Sequence, residues 1–431
     1  MSDIPFGFNR PGEPGDENEP GKQDPFGAGN MQDFAAMLHQ FADMLSNQSG
    51  GGGPLNWDLA KDVARHAIAE KGDPSILDAQ RRAVVEALRL ADLWLDEVTT
   101  LPAGIRNPQA WSRSEWIEHT LPVWTKVCDP MAARMAESMG SAMPEEMQAM
   151  AGPLLGMVQQ MGGAMVGGQA GQALGALALE VVGSSDIGLP LAPAGVGALL
   201  PSGVKAFGEG LEIDEDEVRL YLALREAAHQ RLFEHVPWLR SQLLRAVEDY
   251  ASGITVDLSK IEDAVSGIDL NNPEALQQAL GGELSLTPEE TPQQKAALAR
   301  LETMLALVEG WVDTVVNAAA KDRLPSSVKL AEAVRRRRAV GGPAERTFAT
   351  LVGLELRPRR LREAAALWTT LDEARGHDGR DAVWAHPDLM PTAEDLDDPA
   401  AFVEGKSGDF DITDFTEPKD DKPGDKPDDE A

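Results

Sequence analysis

The chain has 431 residues, 42% of them hydrophobic, which is enough to bury a large core. Its formal net charge of −32 has the wrong sign for general attraction to nucleic acid or an anionic membrane. The lone cysteine, Cys128, excludes an internal disulfide and a cysteine-built zinc cluster, and it suits a reducing cytoplasm.

The first residues, MSDIPFGFNRPGEPGDENEP, have neither a basic n-region nor an apolar h-region, so no signal peptide is expected and the cytoplasm is the expected location. Residues 1–53 are rich in proline, glycine and acid and close on the run Gly50 to Gly53. Such a composition buries too little apolar surface to offset its ordering entropy, so a disordered arm is expected, with one short helix over Met31–Leu45.

From residue 54 to 403 the pattern is helical. Asn56–Glu70 has helical periodicity through Trp57, Leu59, Val63 and Ile68, and Ile76–Leu101 continues until Leu101-Pro102 stops it. Trp111, Trp116 and Trp124 read as core residues rather than a base-stacking surface. The stretch Met147–Val182 mixes methionine, alanine and many glycines, the small-residue pattern of close helix pairs. Gln159, Gln160, Gln169 and Gln172 interrupt it, so it predicts two tightly packed helices in a soluble core rather than a membrane span. SSDIGLPLAPAGVGALLP follows as a loop punctuated by Pro190, Pro193 and Pro201. Beyond about residue 404 the chain becomes an acidic tail, again expected to be disordered.

The next helix is expected to start at Asp214 as N-cap, with Glu217 completing a capping box, and to end near His235 before Val236-Pro237. It carries Arg225-Glu226-Ala227-Ala228-His229, which reads as the zinc-protease motif H-E-x-x-H with arginine in the first histidine's place. In a working motif two histidines ligate zinc and the glutamate activates the bound water. A guanidinium has donors but no free lone pair, so Arg225 cannot ligate. By itself Glu-x-x-His is a weak signal, and on that evidence a surface pair on an amphipathic helix is the better reading. His235 stands at the offset of a third ligand, but Leu232 replaces the glycine that such a chain needs in order to turn. A later helix is expected over 292–320, capped by Thr291 with Pro292 at its first position. It places Glu309 beside Leu305, Val312 and Val316 on a partly apolar face, where a buried carboxylate needs a cation or strong donors. The basic islands Arg335 to Arg338 and Arg357, Arg359, Arg360 and Arg362 read as exposed faces paired with carboxylates, and His377 and His386 flank a loop-like segment. No Ser/His/Asp or Cys/His signature, P-loop or dinucleotide fingerprint is present.

REAAHQRLFEHVPWL, NWDLAKDVARHAIAEKGDPS and SSDIGLPL together resemble an actinobacterial family of zincin-like metallohydrolases, over roughly Leu55 to Val403. Related sequences associated by name with coenzyme F420 biosynthesis carry an intact H-E-x-x-H followed by a similar apolar-Pro-Trp-Leu. The resemblance implies a mainly α, zincin-like globular fold. It also implies that Glu309, in Glu309-Gly310-x-x-Asp313, is the third metal ligand beside His229, with Glu226 as general base and Zn²⁺ as cofactor. The two function classes are then a metallohydrolase of peptidase type, weakened or silenced by Arg225, and a non-catalytic descendant that binds a peptide or protein. In the second, Arg225 neutralises Glu309 where zinc once did, with Asp313 nearby.

Overall fold

A computed structural model describes residues 55–141, 152–252, 291–339, 347 and 360–405. The expected arm, its helix over Met31–Leu45 and the tail from residue 406 lie outside them. The described part is mainly helical, as expected, and no helix among the described residues is long and apolar enough to cross a membrane.

Helix α1 (Trp57–Lys71) starts where Asn56 Oδ1 accepts the Leu59 N–H at 3.0 Å. Helix α2 (Asp78–Leu95) stops six residues short of the expected end at Leu101. Thr99 and Thr100 turn their hydroxyls, and Thr100 its N–H, onto Asp381, which takes the backbone out of the helix. Strand β1 (Asn107–Ala110) leads into α3 (Arg113–Ser141), and Trp111, Trp116 and Trp124 are buried in the core, as expected.

The Gly/Met-rich stretch does not form the expected pair of helices. Its described residues make one 29-residue helix, α4 (Gly152–Glu180), whose close partner is α1. Gly167, Gly171 and Gly175 recur every four residues and face Asn56, Ala60 and Ala64 of that partner. A Cβ at Gly167 would stand 2.7 Å from the Asn56 carbonyl oxygen, and one at Gly171 would stand 2.7 Å from Val63 Cβ. Gly171→Leu is therefore expected to lower stability by about 1–3 kcal/mol through overpacking. Gly168 faces open space, so Gly168→Ala should raise stability by up to about 1 kcal/mol through helix propensity. Urea midpoints of the two variants, moving in opposite directions, check this.

Strand β2 (Val196–Leu199) lies inside the segment expected to be wholly loop. It pairs in parallel with β1, Asn107 opposite Val196 and Ala110 opposite Leu199. Both strands have only four residues, too few for alternation to stand out. After α5 (Pro201–Gly208) comes α6 (Glu215–His235), started by Asp214, which accepts the Asp216 N–H at 2.8 Å. The capping box expected of Glu217 is not made; that side chain instead accepts the Ser326 N–H at 3.2 Å. Helices α7 (Leu239–Ser252) and α8 (Pro292–Ala320) follow, and Thr291 and Gln294 form a capping box at the start of α8. Helix α9 (Ser327–Ala339), α10 (Leu361–Asp381), two 3₁₀ turns and α11 (Pro399–Val403) complete the described chain.

Helix α6 runs through the core, packed on α2 and α8, while α8 also meets α7 and α10. Every residue of α6 from Tyr221 to Phe233 is buried, charged ones included, so the surface-pair reading of Glu226 and His229 does not hold. A buried polar side chain needs partners, and α6 sends its polar groups to three neighbours. Arg231 reaches α2, bonding Asp92, Asp96 and the Leu101 carbonyl. The other polar groups turn towards α8 and towards the loop that follows α4.

Candidate functional site

Arg225 and His229 are one turn apart on α6 and share the face that looks at α8. Arg225 Nη2 stands 2.7 Å from Glu309 Oε2, and its Nη1 is 4.0 Å from Asp313 Oδ1. His229 Nδ1 donates to the Arg225 carbonyl at 2.8 Å, the only role a carbonyl partner allows it. Its Nε2 is 3.0 Å from Glu309 Oε1. A second guanidinium, absent from the sequence expectation, comes from the end of α9: Arg338 Nη2 lies 2.7 Å from the same Oε1. Arg338 also donates to the Asp186 carbonyl at 2.9 Å. Both Glu309 oxygens are thus engaged, and the side chain is 1% exposed.

Burial by itself pushes the Glu309 carboxyl up. Arg338, His229 and Arg225 outweigh it and hold the group well below the usual carboxylate range. Burial likewise works against the charge on Arg225, but Glu309 restores it and keeps the guanidinium firmly protonated. Asp186 is lowered in the same way: burial opposes ionisation, and Arg337 and Arg338 overcome it.

Glu226 lies on the neighbouring face of α6 and turns to the loop that follows α4. Its Oε1 accepts from the Ser184 hydroxyl, from Gln230 Nε2 at 3.1 Å and from the Ala198 N–H at 3.4 Å. Its Oε2 accepts from the Ser185 N–H at 3.0 Å and the Ser185 hydroxyl at 2.6 Å. The loop from Gly183 to Gly188 is therefore wedged between both carboxylates. A Cβ at Gly183 would come within 2.8 Å of Glu226 Oε2, and one at Gly188 within 3.0 Å of Glu309 Oε1. Gly188 also has φ +77°, a conformation glycine takes without strain. Gly310, next to Glu309, has the same logic towards α10: a Cβ there would lie 2.7 Å from the backbone of Ala364.

Asp313, one turn beyond Glu309, accepts from Arg335 at 3.1 Å and from Asn317 at 3.1 Å. His235 is not part of the cluster. Leu232, in place of a turning glycine, lets α6 continue to His235, which swings it about 240° around the axis and about 9 Å along it from His229. Its Nε2 faces the Ala103 carbonyl at 3.2 Å at the exposed helix end. His377 and His386 have local partners, Asp372 and the Asp388 N–H. Cys128 is buried, and burial pushes its thiol up to about 12, so it is no nucleophile.

The pocket bounded by Arg225, Glu226, His229, Asp186, Arg337 and Arg338 holds about 20 Å³, room for a single water molecule. Arg337, paired with Asp186 at 2.9 Å, and Val182 line both it and an open groove of about 900 Å³ formed by the end of α4, α5 and α9. A zinc ion does not fit this donor set. Catalytic zinc takes three protein ligands and keeps a fourth position open. Here the first ligand position is a guanidinium, the Glu309 oxygens are bonded to cations, and the Glu226 oxygens face serines. Among the described residues no three His, Cys, Asp or Glu side chains converge on a common point that could hold a metal.

The sequence missed Ser184, Ser185, Gln230, Asp186, Arg337 and Arg338. The available signal was the position of polar Ser184, Ser185 and Asp186 between Gly183 and Gly188, within a segment that also carries the resemblance.

A family model described as a zincin-like metallopeptidase matches residues 55–403. Among solved structures, one from Chloroflexus aurantiacus, described as "a putative hydrolase with a novel fold", is similar at 20% identity and a TM-score of 0.58. The match covers 82% of this chain and 98% of that one, and at such identity it speaks for the fold alone. No curated protein matches the chain.

Proposed function

The chain belongs to the zincin-like metallopeptidase family, and we propose that it has exchanged the zinc chemistry general to that family for a salt-bridged clasp. Family and fold speak for metallohydrolase ancestry. On our reading the present role is non-catalytic: a zincin-derived scaffold that recognises a peptide or protein without cleaving it. A peptide or protein is the ligand class that descent from a peptidase family indicates.

The observation that carries the reading is Glu309, the would-be metal ligand, bonded by Arg225 on one oxygen and by His229 and Arg338 on the other. For His229 and Glu309 to take up a cation at the oxygen they share, Glu309 would have to give up Arg338, leaving that buried guanidinium without its counter-ion. The cation would also sit beside Arg225 on the other oxygen. Glu226, the would-be general base, has its lone pairs committed to Ser184, Ser185, Gln230 and Ala198. Proton transfer through it would first have to break those bonds.

Metal analysis of the purified chain after dialysis against zinc tests this. The expected result is far less than one equivalent of zinc, unchanged in His229→Ala. Close to one equivalent, lost on changing His229 or Glu309, would restore the metallohydrolase reading with Glu226 as base.

A further inference from the structure

The arginine at the first ligand position is only half of the replacement. We propose that Arg338 independently bars a divalent cation from the Glu309 site, and that Arg225 and Arg338 together supply the two positive charges such an ion would bring. This rests on the preceding reading that the site works without metal, and it adds a residue that lies outside the zinc-motif helix.

Each guanidinium holds a different Glu309 oxygen at 2.7 Å, so removing either one leaves the other in place. The two also come from different helices, Arg225 from α6 and Arg338 from the end of α9. Arg338 is fixed from several directions: its own bond to the Asp186 carbonyl at 2.9 Å, the Arg337–Asp186 pair beside it at 2.9 Å and the Arg335–Asp313 pair one turn back at 3.1 Å. These bonds together dock the basic end of α9 against the loop after α4 and against α8.

The consequence is specific. In Arg225→His the chain regains the full H-E-x-x-H sequence, yet Arg338 still sits on Glu309 Oε1, the oxygen that also faces His229. A cation approaching His229 and Glu309 would meet a fixed positive group within bonding distance of its own ligand. The restored motif should therefore bind zinc poorly. Removing Arg338 as well frees that oxygen and opens space beside a pocket that otherwise holds about one water.

The experiment compares the full chain with Arg225→His, Arg338→Gln and the double variant. Zinc stoichiometry and the visible absorption of bound cobalt(II) are read alongside the helical circular dichroism. The double variant is expected to take up one cation at least about tenfold more tightly than either single variant, the scale on which groups bonded to metal ligands act. Equal affinity of Arg225→His and the double variant would overturn the role of Arg338. So would a folded double variant that binds no better than the unaltered chain. If glutamine at 338 unfolds the protein, Arg338→Met makes the same comparison. Stoichiometric zinc in the unaltered chain would instead overturn the metal-free reading itself, an outcome distinct from failure of the Arg338 role.

Discussion

Glu309→Ala is expected to cost about 3–5 kcal/mol of folding stability, the usual result of removing one partner from a buried ion cluster. The loss comes less from the missing attraction than from leaving Arg225 and Arg338 buried without their shared counter-ion. A companion variant separates the two. Arg225→Met/Glu309→Leu/Arg338→Met removes the carboxylate and both of its guanidiniums together, and leaves Asp186 its pair with Arg337 and Asp313 its pair with Arg335. It should be markedly more stable than Glu309→Ala, because apolar replacement of a buried ion cluster is commonly neutral or better. Urea denaturation of both variants measures this; a triple variant as weak as the single one would mean the ions are worth more than their desolvation.

The same carboxylate sets an acid limit. Its folded-state pKa lies below its ordinary value of 4.5. The stabilisation is therefore complete above about that pH, and it is lost as pH falls through the folded value. Asp186 and Asp381 are shifted in the same direction, so the Glu309 share is read as the difference between the unaltered chain and Glu309→Gln. That difference should shrink as the pH falls below 4.5.

The second large effect is expected far from the motif, at Asp381→Ala. This carboxylate accepts from Thr99, Thr100, Trp311 Nε1 at 2.9 Å and Arg380 Nε at 2.8 Å, joining the end of α2, the middle of α8 and the end of α10. Arg380 is fully buried and, among the described residues, would be left with Asp372, the Val98 carbonyl and the face of the Trp311 ring. A loss of about 3–5 kcal/mol is expected. The tryptophan near-ultraviolet circular dichroism should also change, because Trp311 packs edge-on to Trp384 within a buried aromatic group. Asp381→Asn, which keeps one accepting oxygen, should lose less. Equal losses would mean that shape rather than charge holds this joint.

Much of the fold was legible because its signals are local. Asp214, Thr291 and Pro292 mark helix starts by the chemistry of a single turn, and the prolines after Leu101 and Val236 limit where a helix can run. The four-residue spacing of Arg225 and His229, and the apolar neighbours of Glu309, assign those residues to particular helix faces by local pattern alone. What was hidden depends on tertiary partners. Arg335 to Arg338 read as a solvated basic face, yet four consecutive residues cover nearly the whole circumference of a helix. When α9 docks, Arg336 stays outside with Glu332 while Arg338 reaches Glu309. Ser184 and Ser185 read as loop because hydroxyls have no periodicity; only the buried Glu226 gives them a purpose. The glycines of α4 read as a partner for a second glycine-rich helix, but the flat surface they create is filled by α1, from much earlier in the chain. Sequence exposed the spacing of small residues but not what they approach.

The Arg225–Glu309–Arg338 cluster also changes how this fold relates to its surroundings. A domain held together by a bound ion is stabilised by mass action, and its folded fraction rises and falls with the free concentration of that ion. A guanidinium carried on the chain cannot be diluted, chelated or outcompeted by another metal. If the site works without metal, as proposed, the cations built into α6 and α9 are expected to give the helix pair a stability that is the same in zinc-starved and zinc-replete surroundings.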